Sequence, residues 1–268
     1  MKYEELGHLD KAPVVYVFCK VGFATLPLLD HGAANNIAEQ IRKNFPIFKH
    51  NKTSARTLTI SAETNEIKSE STEDIIEWDY IAPDYSKGFV LSKNSMIFHT
   101  KKYHDSTEFL GWIRSVLDIV HTNLDISHTN FHGIRYIDRI DLKENDDFDN
   151  VISEGFFQPS LKSVSGKLGA KIECAYKTEV GVLNIKSLTK YNGHDIPDDL
   201  VSEADKLKAV NQIKNIFTII DTDSFERSEN MEEFAITKSI SKIDELHKVA
   251  SMAFREIIIG SELKKWRT

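Results

Sequence analysis

A chain of 268 residues with 41% hydrophobic and 28% charged residues, but only 6 Pro and 12 Gly, has room for one large domain or two small ones and falls outside the disordered and fibrous classes. Its 34 basic against 41 acidic residues leave a net charge of -7, which gives no global attraction to nucleic acid or anionic lipid, so any such contact must be a local patch. Cys19 and Cys174 both sit in apolar strand-like runs, which excludes a disulfide framework or thiolate metal site. With no signal-like apolar stretch in Met1–Leu6 and no membrane-length apolar run, the expected compartment is the cytoplasm.

Pro13 to Phe23 is apolar and β-branched and is expected to form a buried strand. Asp30 then offers an N-cap to a helix carrying Ile37, Ile41 and Phe45 on one face, with Pro46 just beyond its end. Short alternating segments follow at Thr57–Ala62, Ile75–Ile81, Gly88–Ser92 and Met96–Thr100, the pattern of an antiparallel meander with Lys93-Asn94 as its last turn. Asp105 and Glu108 pair as a capping box ahead of Phe109, Ile113, Val116, Leu117 and Val120, which predicts a helix over Ser106–His121. Phe131 to Leu142 alternates again, with Ile134, Tyr136, Ile140 and Leu142 on one side and Arg135, Ile137, Arg139 and Asp141 on the other. The acidic run Glu144-Asn145-Asp146-Asp147 reads as a connector, dividing the chain into 1–145 and 146–268.

In the second part, Ser163–Thr178 and Val180–Lys190 are predicted to form a long hairpin around Glu179. Tyr191–Pro197 reads as a loop, Asp199–Gln212 as a short helix, and Ile216–Ile220 as a strand ending in Asp221-Thr222-Asp223. Ser241 and Asp244 form a second capping-box pair before Ile243, Leu246, Val249, Ala250, Ala253, Phe254 and Ile257 at helical spacing. The expected fold is α+β: two halves, each a mainly antiparallel curved sheet backed by a long amphipathic helix, with one continuous domain as the variant of that reading.

Taken in order, Pro13–Phe23, Arg135-Tyr136-Ile137-Asp138-Arg139-Ile140, Ile220-Asp221-Thr222-Asp223-Ser224-Phe225, Leu246-His247 and Phe254 resemble a sporadically distributed family of uncharacterised bacterial and archaeal proteins. The resemblance covers nearly the whole chain. Members of that family typically carry an arginine before the phenylalanine of the first strand, where this chain has Gly22, so no role of that arginine carries over. The family's patchy distribution implies a toxin–antitoxin or phage-defence setting and no assigned activity.

Two constellations carry possible chemistry. Asp221 and Asp223, two apart, project to one side and are the residues that a divalent ion in a phosphoryl-transfer or nuclease-type enzyme would use. A D-x-D at a strand end is also the composition of a turn or side-chain cap, and that reading is preferred. Arg135, Asp138, Arg139 and Asp141 suggest an anion-binding or interface strand whose guanidinium forks grip phosphate, or a ladder of cross-strand ion pairs. Of the ten histidines, His99, His104, His121, His128 and His132 cluster without Cys or Glu at metal-site spacing and are read as exposed or core-edge. His247 is read as an interface residue. The basic clusters Lys49–Lys52, Lys101-Lys102 and Lys264-Lys265 are read as solvated faces, and Ser165-Gly166-Lys167 lacks the spacing of a phosphate loop.

These observations favour a non-enzymatic protein-interaction or regulatory component, with no cofactor and no membrane, whose partner is a protein encoded nearby. The metal-dependent enzyme centred on Asp221 and Asp223 and a nucleic-acid-binding module are the alternatives, and a homo-oligomer is left open.

Overall fold

Apolar residues on both faces of Val14–Phe23 place this strand, β1, in the middle of the molecule rather than at an edge. A computed structural model describes residues 9, 11–60, 67–141, 150–157, 163 and 168–266. Among the described residues nine antiparallel strands form one sheet, ordered β2 (Ile47–Ile60), β3 (Ile67–Ile81), β4 (Lys87–Ser92), β5 (Ser95–Thr100), β1, β6 (His128–Asp141), β9 (Gln212–Glu233), β8 (Val182–His194) and β7 (Gly169–Lys177). The sheet runs unbroken from one part of the sequence into the other. β6 pairs with β1 through Phe18 opposite Arg135 and with β9 through Arg135 opposite Asp223. The predicted connector Glu144–Asp147, like Ser165-Gly166-Lys167, lies outside the described residues.

One face of the sheet is covered by α1 (His31–Ile41), α2 (Ser106–Leu124) and α4 (Ile236–Ile257). Both early caps form as the sequence predicts: Asp30 accepts from the Ala33 N–H and Asp105 from the Glu108 N–H, each at 2.8 Å. Ala34, Ile37 and Ile41 of α1 and Ile113, Leu117 and Val120 of α2 join Cys19, Tyr80, Phe89, Phe98 and Ile134 in the main core. The Tyr80 and Phe89 rings stack at 4.4 Å. A second core joins Phe254 and Ile257 of α4 to Ile185 and Ile220. The opposite face carries a smaller cover, a 3-10 turn (Asp198–Leu200) leading into α3 (Val201–Lys206), where Leu200, Ala204 and Leu207 pack on Tyr16, Ile137 and Ile219. A last helix, α5 (Gly260–Trp266), follows α4.

Several element limits differ from the sequence expectation. α1 stops at Ile41, so Phe45 enters the core from the loop that follows. The predicted helix 199–212 shrinks to α3, because Lys208 takes a left-handed φ of 52° and Asn211 turns to bond Asp195. β9 does not end at Ile220 but continues to Glu233, so Asp221 and Asp223 lie inside a strand and not at its end. α4 begins at Ile236, and Ser241 and Asp244 lie within it rather than capping it. The apolar stripe that docks this helix already starts at Ile236 and Ile240, and the N-terminus has no side-chain cap.

Candidate functional site

β6 divides its charges between two faces because side chains alternate along a strand. Arg135, Ile137 and Arg139 face α3, whereas His132, Ile134 and Tyr136 face α2 and α4. Arg135 and Asp223 are cross-strand neighbours, and Asp221 sits opposite Ile137, so both carboxylates rise on the Arg135 side, as their spacing predicts.

Arg135 is 7% exposed and uses its whole guanidinium. Its Nε and Nη2 each donate to Asp221 at 2.7 Å, and its Nη1 and Nη2 donate to Asp199 at 2.7 and 3.1 Å. This is a cross-strand ion pair extended to the 3-10 turn above the sheet. Burial opposes the charge on Arg135, but the bonds it donates to Asp221 and then Asp199 outweigh it and hold the guanidinium pKa above its ordinary value. The hydrogen bond from Arg135 draws Asp199 down, whereas burial pushes Asp221 up against the pull of Arg135. Asp223 is pushed up to about 6, by burial first and by the charge of Asp221, while Arg135 pulls the other way. Lys186, opposite Asp221 on β8, completes the charges of this face.

Arg139 repeats the arrangement one step along, donating to Asp141 at 3.1 and 3.2 Å and to the fully buried Asp195 at 2.9 Å. Asp195 in turn accepts from the backbone and side chain of Asn211, so Arg139 closes the base of the α3 cover. The far end of that cover is held by Lys206, which reaches Glu77, Asp79 and Glu203 at 3.1, 3.3 and 3.0 Å. Lys101 adds a 2.7 Å bond to the Leu207 carbonyl. Asp195 and Asp199 give no local signal in the sequence, since each pairs with an arginine on a distant strand, and Glu77 and Asp79 answer to a Lys206 far away in sequence; Glu203 alone lies beside its partner, three residues before Lys206.

Asp138 departs from the other charges of β6 and lies on the helical face, 2% exposed, with its Oδ1 lacking a hydrogen-bond partner among the described residues. Burial, then the charge of Asp221, pushes this carboxyl well above its usual range and favours the neutral acid. The Thr222 and Ser224 hydroxyls on the same face of β9 likewise have no partner among the described residues. His132 and His99, expected to be exposed or at the core edge, are fully buried instead: His132 meets Ser239 at 3.1 Å and His99 meets the Tyr16 hydroxyl at 2.8 Å. His247 is buried against the Tyr136 hydroxyl at 2.7 Å. Burial depresses all three, His132 and His247 to about 4 and His99 to about 3.

Among the described residues no group of three or more His, Cys, Asp or Glu side chains is placed to hold a metal ion. Both Asp221 oxygens already accept from Arg135, so an ion shared by Asp221 and Asp223 would have to compete with that guanidinium.

A different feature lies at the end of the β7–β8 hairpin. An open groove of about 770 Å³ runs between this turn, β9 and α4. Its apolar lining lies on both sides of the sheet's end, Leu246 on the α4 side and Val182 with Phe225, which stacks on Phe131, on the other, and Glu226, Arg227, Lys242 and Glu245 give it a charged rim. Gly181 makes the turn possible: its φ is 148°, and a Cβ there would strike the Phe225 carbonyl. No helix among the described residues is long and apolar enough to cross a membrane. No protein-family model, curated protein or solved structure matches this chain.

Proposed function

We propose that the chain is a non-enzymatic interaction component that recognises a protein partner through the groove at the β7–β8 turn. The observation that carries this reading is the groove's make-up, apolar lining residues beside a charged rim, the mix found at protein–protein contacts. The arginines that would have gripped a phosphate support it from the other side, since Arg135 and Arg139 each bind two carboxylates and fasten the α3 cover to the sheet. The two halves of the chain then act as one platform, each contributing a long helix to the face that α2 and α4 share. The setting implied by the resemblance, a toxin–antitoxin or phage-defence system, makes a protein encoded beside this one the first partner to test.

The experiment is purification of the tagged chain from its native host, side by side with Arg227→Glu/Glu245→Lys, a pair that reverses the rim without changing net charge. A partner retained by the wild type and lost with the reversed rim supports the proposal. No reproducible partner, or one held equally by both proteins, refutes it.

A further inference from the structure

β7 is the last strand of the sheet among the described strands, and β8 occupies only one of its sides. An edge of this kind presents a row of backbone donors and acceptors to another chain. The hydrogen-bonding parity of the edge follows from the turn: the Thr178 N–H donates to the Gly181 carbonyl at 2.8 Å. Antiparallel ladders alternate bonded and non-bonded pairs. Residues 172, 174 and 176 therefore bond to β8, and Gly169, Lys171, Glu173, Ala175 and Lys177 turn their N–H and C=O groups outward.

We propose that this edge pairs with the β7 edge of a second copy of the chain, antiparallel, with Ile172 on the two-fold axis. Parity requires outward-bonding residues to face outward-bonding residues, and charge together with apolar contact then selects among the allowed registers. With Ile172 at the centre, Lys171 faces Glu173 of the other copy and Glu173 faces Lys171, so the front of the strand pairs opposite charges twice. Centring on Lys171 or on Glu173 sets a charge against itself, centring on Cys174 sets Lys171 against Lys177, and centring on Ala175 pairs Glu173 with Lys177 but carries Leu168 past the end of the other β7. On the reverse face the same register brings Ile172 onto Ile172, Ala170 onto Cys174, and Leu168 onto Tyr176. Leu168 and Tyr176 are 76% and 44% exposed, two large apolar side chains that this single register covers with each other. One strand pair is a small contact, so the dimer forms in the range of about 1–100 µM.

Sedimentation equilibrium over that range tests the association, with three sets of variants on the edge strand. Lys171→Glu places like charges opposite each other twice and weakens the dimer about tenfold, and Lys171→Glu/Glu173→Lys restores it to within about threefold. Ile172→Cys in a Cys174→Ser background puts two thiols in a non-bonded pair with Cα atoms about 4.5 Å apart, within disulfide reach, and oxidation yields a cross-linked dimer on a non-reducing gel. Circular dichroism confirms that each variant is folded. A chain that stays monomeric at 100 µM, or a dimer that neither cross-links nor responds to the charge reversal, overturns the proposal. The rim variants of the groove leave this association unchanged. A partner lost with the rim from a monomeric chain would therefore sink the dimer and spare the interaction function, and the reverse pattern would do the opposite.

Discussion

Replacing Arg135 with Leu removes the cation that holds Asp221, a carboxylate 1% exposed whose two oxygens both accept from that guanidinium at 2.7 Å. Leaving one partner of a buried pair uncompensated costs about 3–5 kcal/mol. The bond to Asp199 adds little, because that side chain is 57% exposed and water screens it. Urea denaturation at pH 7 is therefore expected to show Arg135→Leu destabilised by about 3–5 kcal/mol, and heating to show a fall in melting temperature of roughly 6–15 °C. Asp199→Asn alone is expected to cost less than about 1 kcal/mol. Arg135→Leu/Asp221→Leu fills the same space without charge and is expected to recover most of the loss, since a buried ion pair and an apolar pair of similar volume are nearly equivalent. If Arg135→Leu lies within about 1 kcal/mol of the wild type, or the double variant is no better than the single, Asp221 is not held as a paired anion and the account of this node is wrong.

Burial holds His247 at about 4 instead of 6.5. Between those pH values the unfolded chain binds a proton that the folded chain lacks, so stability falls as pH falls, by about 3 kcal/mol from this residue; the denaturation profile of His247→Gln is expected to be flatter over the same interval. Asp223 behaves oppositely, with its folded pKa raised from 3.8 to about 6. There the folded chain keeps a proton that the unfolded chain has released, so stability falls as pH rises through that window, and Asp223→Asn is expected to exceed the wild type by about 1–3 kcal/mol at pH 7 but not at pH 3.5. Gly181→Ala must move the β7–β8 turn off the Phe225 carbonyl, and a loss of more than about 1 kcal/mol in thermal denaturation is expected. Isothermal titration with Mn²⁺ is expected to give no saturable heat, since Arg135 occupies both Asp221 oxygens; a stoichiometric binding curve would return Asp221 and Asp223 to the role of metal ligands.

The parts of the fold legible in the sequence were those whose signals are local. Asp30 and Asp105 announced their helices because an N-cap and the turn it closes lie within four residues. Alternation in β6 separated Arg135 and Arg139 from Tyr136, and Lys93-Asn94 marked the β4–β5 turn. The sequence ends β9 too early because Asp221-Thr222-Asp223 has the composition of a turn, whereas in the sheet Thr222, Ser224 and Glu226 continue the strand as a polar seam beneath α4. Ser241 and Asp244 matched a capping pattern, but the apolar stripe beginning at Ile236 decides where α4 starts. The candidate site was half legible: one strand supplied the arginines and another two carboxylates, but Asp195 and Asp199 answer to arginines far away in sequence and nothing beside them says so.

The position of β1 has a consequence for biosynthesis. Phe18 pairs with His99 on one side and with Arg135 on the other, and Arg135 in turn waits for Asp221 and Asp223. A ribosome therefore delivers the apolar segment Val14–Phe23 long before either neighbouring strand exists, and the middle of the sheet closes only after β9 has emerged. Such distant pairings make folding slow and leave the nascent chain prone to aggregation, so this protein is expected to lean on a chaperone that masks its first strand during translation.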